Sequence, residues 1–246
     1  MTTTTAQLME QGILHEHAVK SMRTYDSILA GDRSPTEANV TAFLADLGGA
    51  AERAFIGVVC RTAKIEYRPG LRVIPGSQYR MESGSNDKRT IDLPLIDVEQ
   101  DRALAGAVEA KFKATMNGYI GYCPRNPYLY SSQGVCYAHG CISENLNSDS
   151  VPLVWLSLPI SPEDEPWGSR GVNDNNRGAS WYDESRSLQR NAGEGWGRLG
   201  WSEVWTELGA VPGVTNAVLR ACGYTSERMN ARVPKPSRAM RLSRQF

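Results

Sequence analysis

The stretch "TIDLPLIDVEQDRALAGAVEAKFKA", residues 90–114, contains two apolar runs separated by a polar turn. The first run carries Asp92 and Asp97, and the second carries Glu109 and Lys111. Because side chains alternate along a strand, Glu109 and Lys111 point to the same face. A turn between two strands brings the start of the first strand next to the end of the second. The pattern therefore predicts that Asp92 and Glu109 lie close together.

Two converging carboxylates and a lysine predict a particular chemistry. The carboxylate oxygens of Asp92 and Glu109 are ligands of the kind that Mg²⁺ requires. Lys111, on the same face, can orient the attacking water or stabilise negative charge as it develops. A further acid, Glu52, lies in the otherwise apolar helical segment "GGAAERAFIGVV". A charged pair inside an apolar strand costs several kcal/mol of desolvation, and a bound metal ion compensates for that cost.

The chain before this stretch is predicted to be helical. Apolar residues at mostly helical spacing predict a helix within residues 6–30. The segment "SPTE" (34–37) predicts a helix start with Ser34 as the N-cap. The helical pattern then runs to about residue 62, and Gly48 with Gly49 is expected to interrupt or bend it.

Beyond residue 65 the period of the apolar residues changes to two, which predicts short strands. These segments are 65–70, 71–76, 78–83, 89–99 and 106–114, with a buried central strand at 151–158. A long loop is predicted at 161–200, and helices broken near Pro212-Gly213 and Gly223 at 202–231. We therefore expect an α/β fold in one domain, 1–246. It contains N-terminal helices (about 6–62), a central mixed sheet (about 65–160), and a loop with C-terminal helices (about 161–246).

Composition narrows the class of protein. The formal net charge is zero, so no global field indicates a nucleic acid, a membrane or an acidic partner, although a local patch suffices for DNA. The longest uncharged apolar stretch, 151–160, is too short to span a bilayer. The N-terminus lacks the form of a signal peptide. Five cysteines without a repeating pattern favour a reducing compartment. We expect a soluble cytoplasmic protein that does not enter membranes.

The arrangement of Asp92, Glu109-x-Lys111 and a preceding helical Glu52 resembles the core motif of the PD-(D/E)xK nucleases, the superfamily that includes most type II restriction endonucleases. The resemblance covers about residues 48–158. It implies a central mixed sheet flanked by helices, Mg²⁺ as the cofactor, and double-stranded DNA as the substrate. It further implies that Asp92 and Glu109 bind the metal, that Lys111 assists hydrolysis, and that Glu52 is an accessory acid. A homodimer acting on a palindromic site is expected from the same resemblance.

The sequence departs from the literal motif at one position, because Ile91 and not proline precedes Asp92. Asp97 competes with Asp92 for the position of the metal ligand. Two other functions stay open on the sequence alone. One is a repair or junction-cleaving nuclease of the same superfamily. The other is a non-catalytic structural or assembly protein, for example of a phage particle, in which Glu109 and Lys111 form an ion pair.

A second candidate metal site lies in "CPRNPYLYSSQGVCYAHGC" (123–141). The thiols of Cys123, Cys136 and Cys141 with the imidazole of His139 are sufficient for a tetrahedral zinc site. Their spacing does not match paired CxxC motifs, and buried or unengaged cysteines with a loop histidine are the alternative. A Cys/His hydrolase is also conceivable here, but no nucleophile elbow surrounds these residues.

Two further cysteines and two further histidines are predicted to have a structural role or no role. Cys60 and Cys222 are expected to be small core residues on helices. His15 and His17 are expected to be surface histidines of the first helix.

Candidate DNA-contacting residues flank the metal site in sequence. Arg125, Asn126 and Gln133 lie in a tyrosine-rich segment, and Arg170 and Arg177 lie in the long loop. Arginine pairs with guanine, and asparagine or glutamine pairs with adenine, in the major groove. Ordinary solvated loops would have the same composition.

Overall fold

The computed structural model of the chain describes residues 3–63, 65–76, 92–101, 103–111, 122–123, 126–130, 153–157 and 196–225. At positions 103, 111, 122–123, 126–130, 153–157 and 196–198 it describes the strand backbone and not the side chain. Within these residues the fold is mixed α/β, as the sequence predicts.

Six α-helices lie in the described part of the chain. They are α1 (Thr5–Glu10), α2 (Met22–Ala30), α3 (Glu37–Ala45), α4 (Gly49–Ala63), α5 (Trp201–Gly209) and α6 (Asn216–Ala221). Short 3₁₀ helices span Glu16–Ser21 and Val98–Gln100.

The strands form two sheets. They are β1 (Leu71–Val73), β2 (Leu93–Asp97), β3 (Ala103–Lys111), β4 (Tyr122–Cys123), β5 (Asn126–Tyr130), β6 (Leu153–Ser157) and β7 (Trp196–Gly200). The larger sheet has the order β1-β2-β3-β6-β7, and β4 pairs with β5 separately. The pairs β1–β2 and β2–β3 are antiparallel, whereas β3–β6 and β6–β7 are parallel. The central sheet is therefore mixed.

The alternation of side chains in β2 and β3 decides which residues face the helices. Leu93 and Leu95 of β2 belong to the main hydrophobic core, together with Val108 and Ala110 of β3. Helix α4 packs on the sheet, with contacts to β1, β6 and β7. Because neighbours in a strand point to opposite faces, Glu109 points away from the face that Val108 and Ala110 occupy.

The connection between α3 and α4 is a close crossing of two chain segments. Helix α3 ends at Ala45 and α4 begins at Gly49, so the predicted interruption is confirmed. Gly49 has φ +53°, and a Cβ built there would lie 2.6 Å from the carbonyl oxygen of Gly12. Only glycine therefore fits at this position without a shift of the backbone.

The C-terminal helices complete the core on the same side. Trp201, Trp205 and Leu208 of α5 are buried, and α5 packs against α4 and β7. The indole N–H of Trp205 donates a 2.8 Å hydrogen bond to the carbonyl of Cys222. Buried indole groups need such a partner, so this bond joins α5 to the end of α6.

Several local predictions need correction. The N-cap of α3 is Thr36 and not Ser34, because the Thr36 side chain accepts from the N–H of Asn39 in a capping box. Residues 65–70 are not a strand. Strand β7 falls inside the region predicted to be a loop, since its two glycines hide the strand pattern. The prediction that Cys60 and Cys222 are core residues is confirmed, because both are buried.

Candidate active site

Asp92 and Glu109 lie next to each other across β2 and β3. The register pairs Leu93 with Val108, so the residue before Leu93 is opposite the residue after Val108. The Oδ2 atom of Asp92 accepts a hydrogen bond of 2.9 Å from the backbone N–H of Ala110. This bond holds the Asp92 carboxylate beside the peptide that joins Glu109 to Ala110.

Glu109 is buried at this strand end, with 1% of its surface exposed. Ala107, on the same face of β3, is also buried. Burial of a carboxylate is costly unless a cation or hydrogen-bond donors compensate for it. Asp92, by contrast, is partly exposed. The two acids thus form a site that is buried at one carboxylate and reachable from solvent at the other.

Lys111 ends β3, two residues after Glu109. Its Cα is paired with that of Ser157 in the parallel strand β6. The structure describes its backbone and not its side chain, so the role predicted for its ammonium group stays a prediction.

Glu52 makes its contacts elsewhere. It is buried on α4, where Oε2 lies 3.4 Å from Nε2 of His15 and 4.0 Å from Nε of Arg72. In the part of the chain that the structure describes, no three His, Cys, Asp or Glu side chains form a metal-binding group. The structure therefore brings Asp92 and Glu109 together but does not add Glu52 to them.

The competing acid, Asp97, is engaged at the opposite end of β2. Its Oδ2 atom pairs with Nη1 of Arg68 at 3.0 Å, and its Oδ1 atom accepts from the N–H of Glu99 at 3.0 Å. Asp97 lies five positions after Asp92, an odd number, so the two side chains point to opposite faces of the strand. Asp97 stabilises the turn into β3, and Asp92 is the acid that lies opposite Glu109.

Most of the other predicted site residues lie outside the described residues. These are Arg125, Gln133, Arg170 and Arg177 among the DNA-contacting candidates, and Cys136, His139 and Cys141 among the zinc candidates. Asn126 begins β5 and Cys123 ends β4, and their Cα atoms are paired. For both residues the structure describes only the backbone.

Sequence reasoning missed a cluster of polar side chains next to α4. The ring of His15 stacks on that of His17, with 5.2 Å between their centroids. The Nε2 atom of His17 lies 3.1 Å from Oδ1 of Asp46, whose side chain is 9% exposed. The hydroxyl of Tyr25 donates to the other oxygen of Asp46 at 2.6 Å. Burial, with this carboxylate as a further cause, raises the pKa of the Tyr25 hydroxyl well above its usual value.

The prediction that both histidines are surface residues agrees with their side-chain exposures of 38% and 48%, but each ring also contacts a buried acid. They lie at the start of the 3₁₀ helix Glu16–Ser21 and not in the first helix. Their His-x-His spacing was the available signal in the sequence. The buried acids that they contact come from residues 46 and 52, about thirty positions later, which a local pattern does not predict.

Comparison with known proteins identifies no relative. The chain matches no protein-family model, and neither the curated proteins nor the solved structures contain a match to it. Among the helices of the described residues, none has the length and apolar character that a membrane crossing needs.

Proposed function

We propose that this protein is an Mg²⁺-dependent endonuclease that hydrolyses phosphodiester bonds of double-stranded DNA at a short specific sequence. The observation that carries the proposal is the pairing of Asp92 with Glu109, fixed by the 2.9 Å bond from the N–H of Ala110 to the Asp92 carboxylate. It is the arrangement expected from the resemblance to the PD-(D/E)xK nucleases.

The order of the elements also supports the proposal. A helix carrying an acid (α4) is followed by an antiparallel set, β1-β2-β3, and then by β6, which is parallel to β3. Asp92 directly precedes β2, and Glu109 with Lys111 ends β3. These are the elements on which the resemblance depends, in the order in which it requires them. The restriction-endonuclease-like fold is part of the proposal.

The donor atoms fit the proposed metal. Two carboxylates at one end of a strand pair supply hard oxygen ligands, which Mg²⁺ prefers to nitrogen or sulfur. When bound, Mg²⁺ polarises the phosphate and lowers the pKa of its bound water. Asp92 and Glu109 would hold the ion.

The chain itself has three tasks in this reaction. The N–H of Ala110 orients the Asp92 carboxylate. The buried position of Glu109 keeps its carboxylate in a medium where charge interactions are strong. Lys111, from its place in β3, would stabilise the negative charge that develops on the phosphate. Glu52 is not assigned a task, because its contacts are with His15 and Arg72.

The test is cleavage of plasmid and phage DNA by the purified full-length chain with Mg²⁺. Discrete fragments from the wild type, and none from Asp92→Asn or Glu109→Gln, are expected. Glu99→Gln is the matched control, since Glu99 is an exposed acid in the turn between the same two strands. It should cleave as the wild type does.

The substrate separates this proposal from the two alternatives. Cleavage of branched or damaged DNA without fragments from intact duplex would indicate a repair or junction-cleaving nuclease. Intact DNA of every form, under varied divalent metals and salt, would reject catalysis and favour a structural or assembly protein. The resemblance also implies a homodimer, which sedimentation of the active protein would detect.

A further inference from the structure

The cluster beside α4 is held in place by the backbone. The N-terminal segment 12–15 crosses Gly48 and Gly49, and an added Cβ at either glycine would lie within 3.1 Å of its backbone. The N–H of His15 donates to the carbonyl of Asp46 at 2.9 Å. These contacts fix His15 beside the first turn of α4, where Glu52 projects.

Two histidine–carboxylate pairs result. Nε2 of His15 lies 3.4 Å from Oε2 of Glu52, and Nε2 of His17 lies 3.1 Å from Oδ1 of Asp46. The first separation is longer than the 2.7–3.2 Å of ordinary N–H···O hydrogen bonds. The stacked rings join the two pairs into one cluster.

The acids of the cluster are more deeply buried than their histidine partners. The side chain of Glu52 is 7% exposed, whereas that of His15 is 38% exposed. Among the described residues, Oε1 of Glu52 has no hydrogen-bond partner and is shielded from water. In the described residues, a guanidinium atom, Nε of Arg72, lies 4.0 Å from the other carboxylate oxygen. A buried carboxylate oxygen of this kind favours a further cation.

One distance in the cluster matches the separation between two ligands of a tetrahedral ion. Zinc binds histidine nitrogen and carboxylate oxygen at about 2.0–2.2 Å, which places two such ligands about 3.3–3.6 Å apart at the tetrahedral angle. The 3.4 Å between His15 and Glu52 agrees with this separation. Imidazole and carboxylate together suit zinc and its neighbours among the transition metals, and not Mg²⁺.

We propose that His15, His17 and Glu52 bind a divalent transition-metal ion, for which Zn²⁺ is the probe, with water in the remaining position. In the described residues these three do not yet surround one point. Binding requires the ring of His17, whose side chain is 48% exposed, to turn from Asp46 toward His15 and Glu52. Asp46 remains hydrogen-bonded to Tyr25 and adds negative charge to the site.

The site is separate from the Asp92–Glu109 pair. An ion bound there would affect the stability of the folded chain. Its ligands come from the N-terminal segment and from α4, so a bound ion ties the N-terminal helices to the helix that packs on the sheet. An ion that binds only the folded chain stabilises it, which makes the melting temperature depend on the Zn²⁺ concentration.

The test is Zn²⁺ titration of the full-length chain by calorimetry, with thermal unfolding in parallel. The wild type should bind one equivalent more Zn²⁺ than His15→Gln or Glu52→Gln, and these two variants should lack the corresponding rise in melting temperature. His139→Gln is the matched control, because it removes the remaining histidine and belongs to the separate cysteine-containing candidate site. Co²⁺ substitution distinguishes the two sites. A cysteine-containing site gives a thiolate charge-transfer band, and a nitrogen–oxygen site gives none.

A measurement on the wild type alone covers the case in which a variant does not fold. The chain has three histidines, so their ring nitrogens give few NMR signals, and Zn²⁺ should shift those of His15 and His17. Zn²⁺ that leaves these signals unchanged overturns the proposal, as does an unchanged stoichiometry in folded His15→Gln and Glu52→Gln. Glu109→Gln should keep this zinc equivalent, so failure here is distinct from failure of the nuclease assay.

Discussion

Replacement of Gly49 by alanine tests the close crossing between the N-terminal segment and α4. Gly49 has φ +53°, a conformation in which an L side chain is strained. The added Cβ would also lie 2.6 Å from the backbone oxygen of Gly12, which cannot rotate away as a side chain can. Gly31 is the matched control, because it has φ +89° but no atom within 4 Å of an added Cβ.

The expected loss of stability is the sum of two contributions. A residue with a Cβ in the left-handed region costs about 1–2 kcal/mol, and this cost applies to both variants. Forced overpacking adds about 1–3 kcal/mol, and this cost applies to Gly49→Ala alone. The difference between the variants should therefore be about 1–3 kcal/mol, or roughly 2–12 °C in melting temperature for a chain of this size.

Urea unfolding followed by tryptophan fluorescence measures both variants on the same scale. The slope with urea should stay constant, so that the shift in midpoint reports stability. If Gly49→Ala unfolds at the same urea concentration as Gly31→Ala, the segment 12–15 does not approach α4 as closely as described.

Three other predictions concern stability. Tyr25→Phe keeps the ring contact with Phe43 but removes the 2.6 Å bond to buried Asp46, so urea unfolding should show a loss of about 1.5–3 kcal/mol; an unchanged midpoint would contradict it. Gly57→Ala adds a helix-favouring methyl group whose nearest neighbour is 3.7 Å away, so the melting temperature should rise with a gain of about 0.5–1 kcal/mol; a fall would show hidden crowding. Burial raises the pKa of the Cys60 thiol from 9.0 to about 11, so its contribution to the free energy of unfolding is full below pH 9 and declines as the pH rises toward 11. Over that pH range, the free energy of unfolding measured in urea should fall more steeply with pH in the wild type than in Cys60→Ala, by up to about 1.4 kcal/mol per pH unit. Equal slopes would reject this contribution.

The periodicity of the apolar residues predicted the helices and strands that bury one face. It gave fewer clues to the other elements. The change from helical to two-residue spacing near residue 65 marks the start of the sheet region, and β2 and β3 lie inside predicted strands or extend them. Strand β7 was missed because "WGRLG" has glycines where an apolar pattern would show. The N-cap of α3 was misplaced by two residues, since both Ser34 and Thr36 are acceptable caps and only the fold selects between them.

The pairing of Asp92 with Glu109 was predictable because it depends on local antiparallel geometry. Two strands joined by a short turn have few registers, and the apolar pattern of residues 93–96 and 104–110 selects among them. The position of Glu52 was not predictable in the same way. It depends on how α4 crosses the sheet, which is set by packing with α5 and β7 and by the approach of residues 12–15.

The central claim is that Asp92 and Glu109 hold one metal ion for DNA hydrolysis. Single-turnover cleavage rates of Asp92→Asn, Glu109→Gln and the double variant, with Mg²⁺ in excess, test it most directly. Each single change should slow cleavage by about 100-fold or more, the scale of a lost charge-stabilising group. The double variant should be little slower than the slower single variant, because residues that act as one unit are not additive. Cleavage at the wild-type rate by either single variant, or losses that multiply in the double variant, would contradict a shared ion.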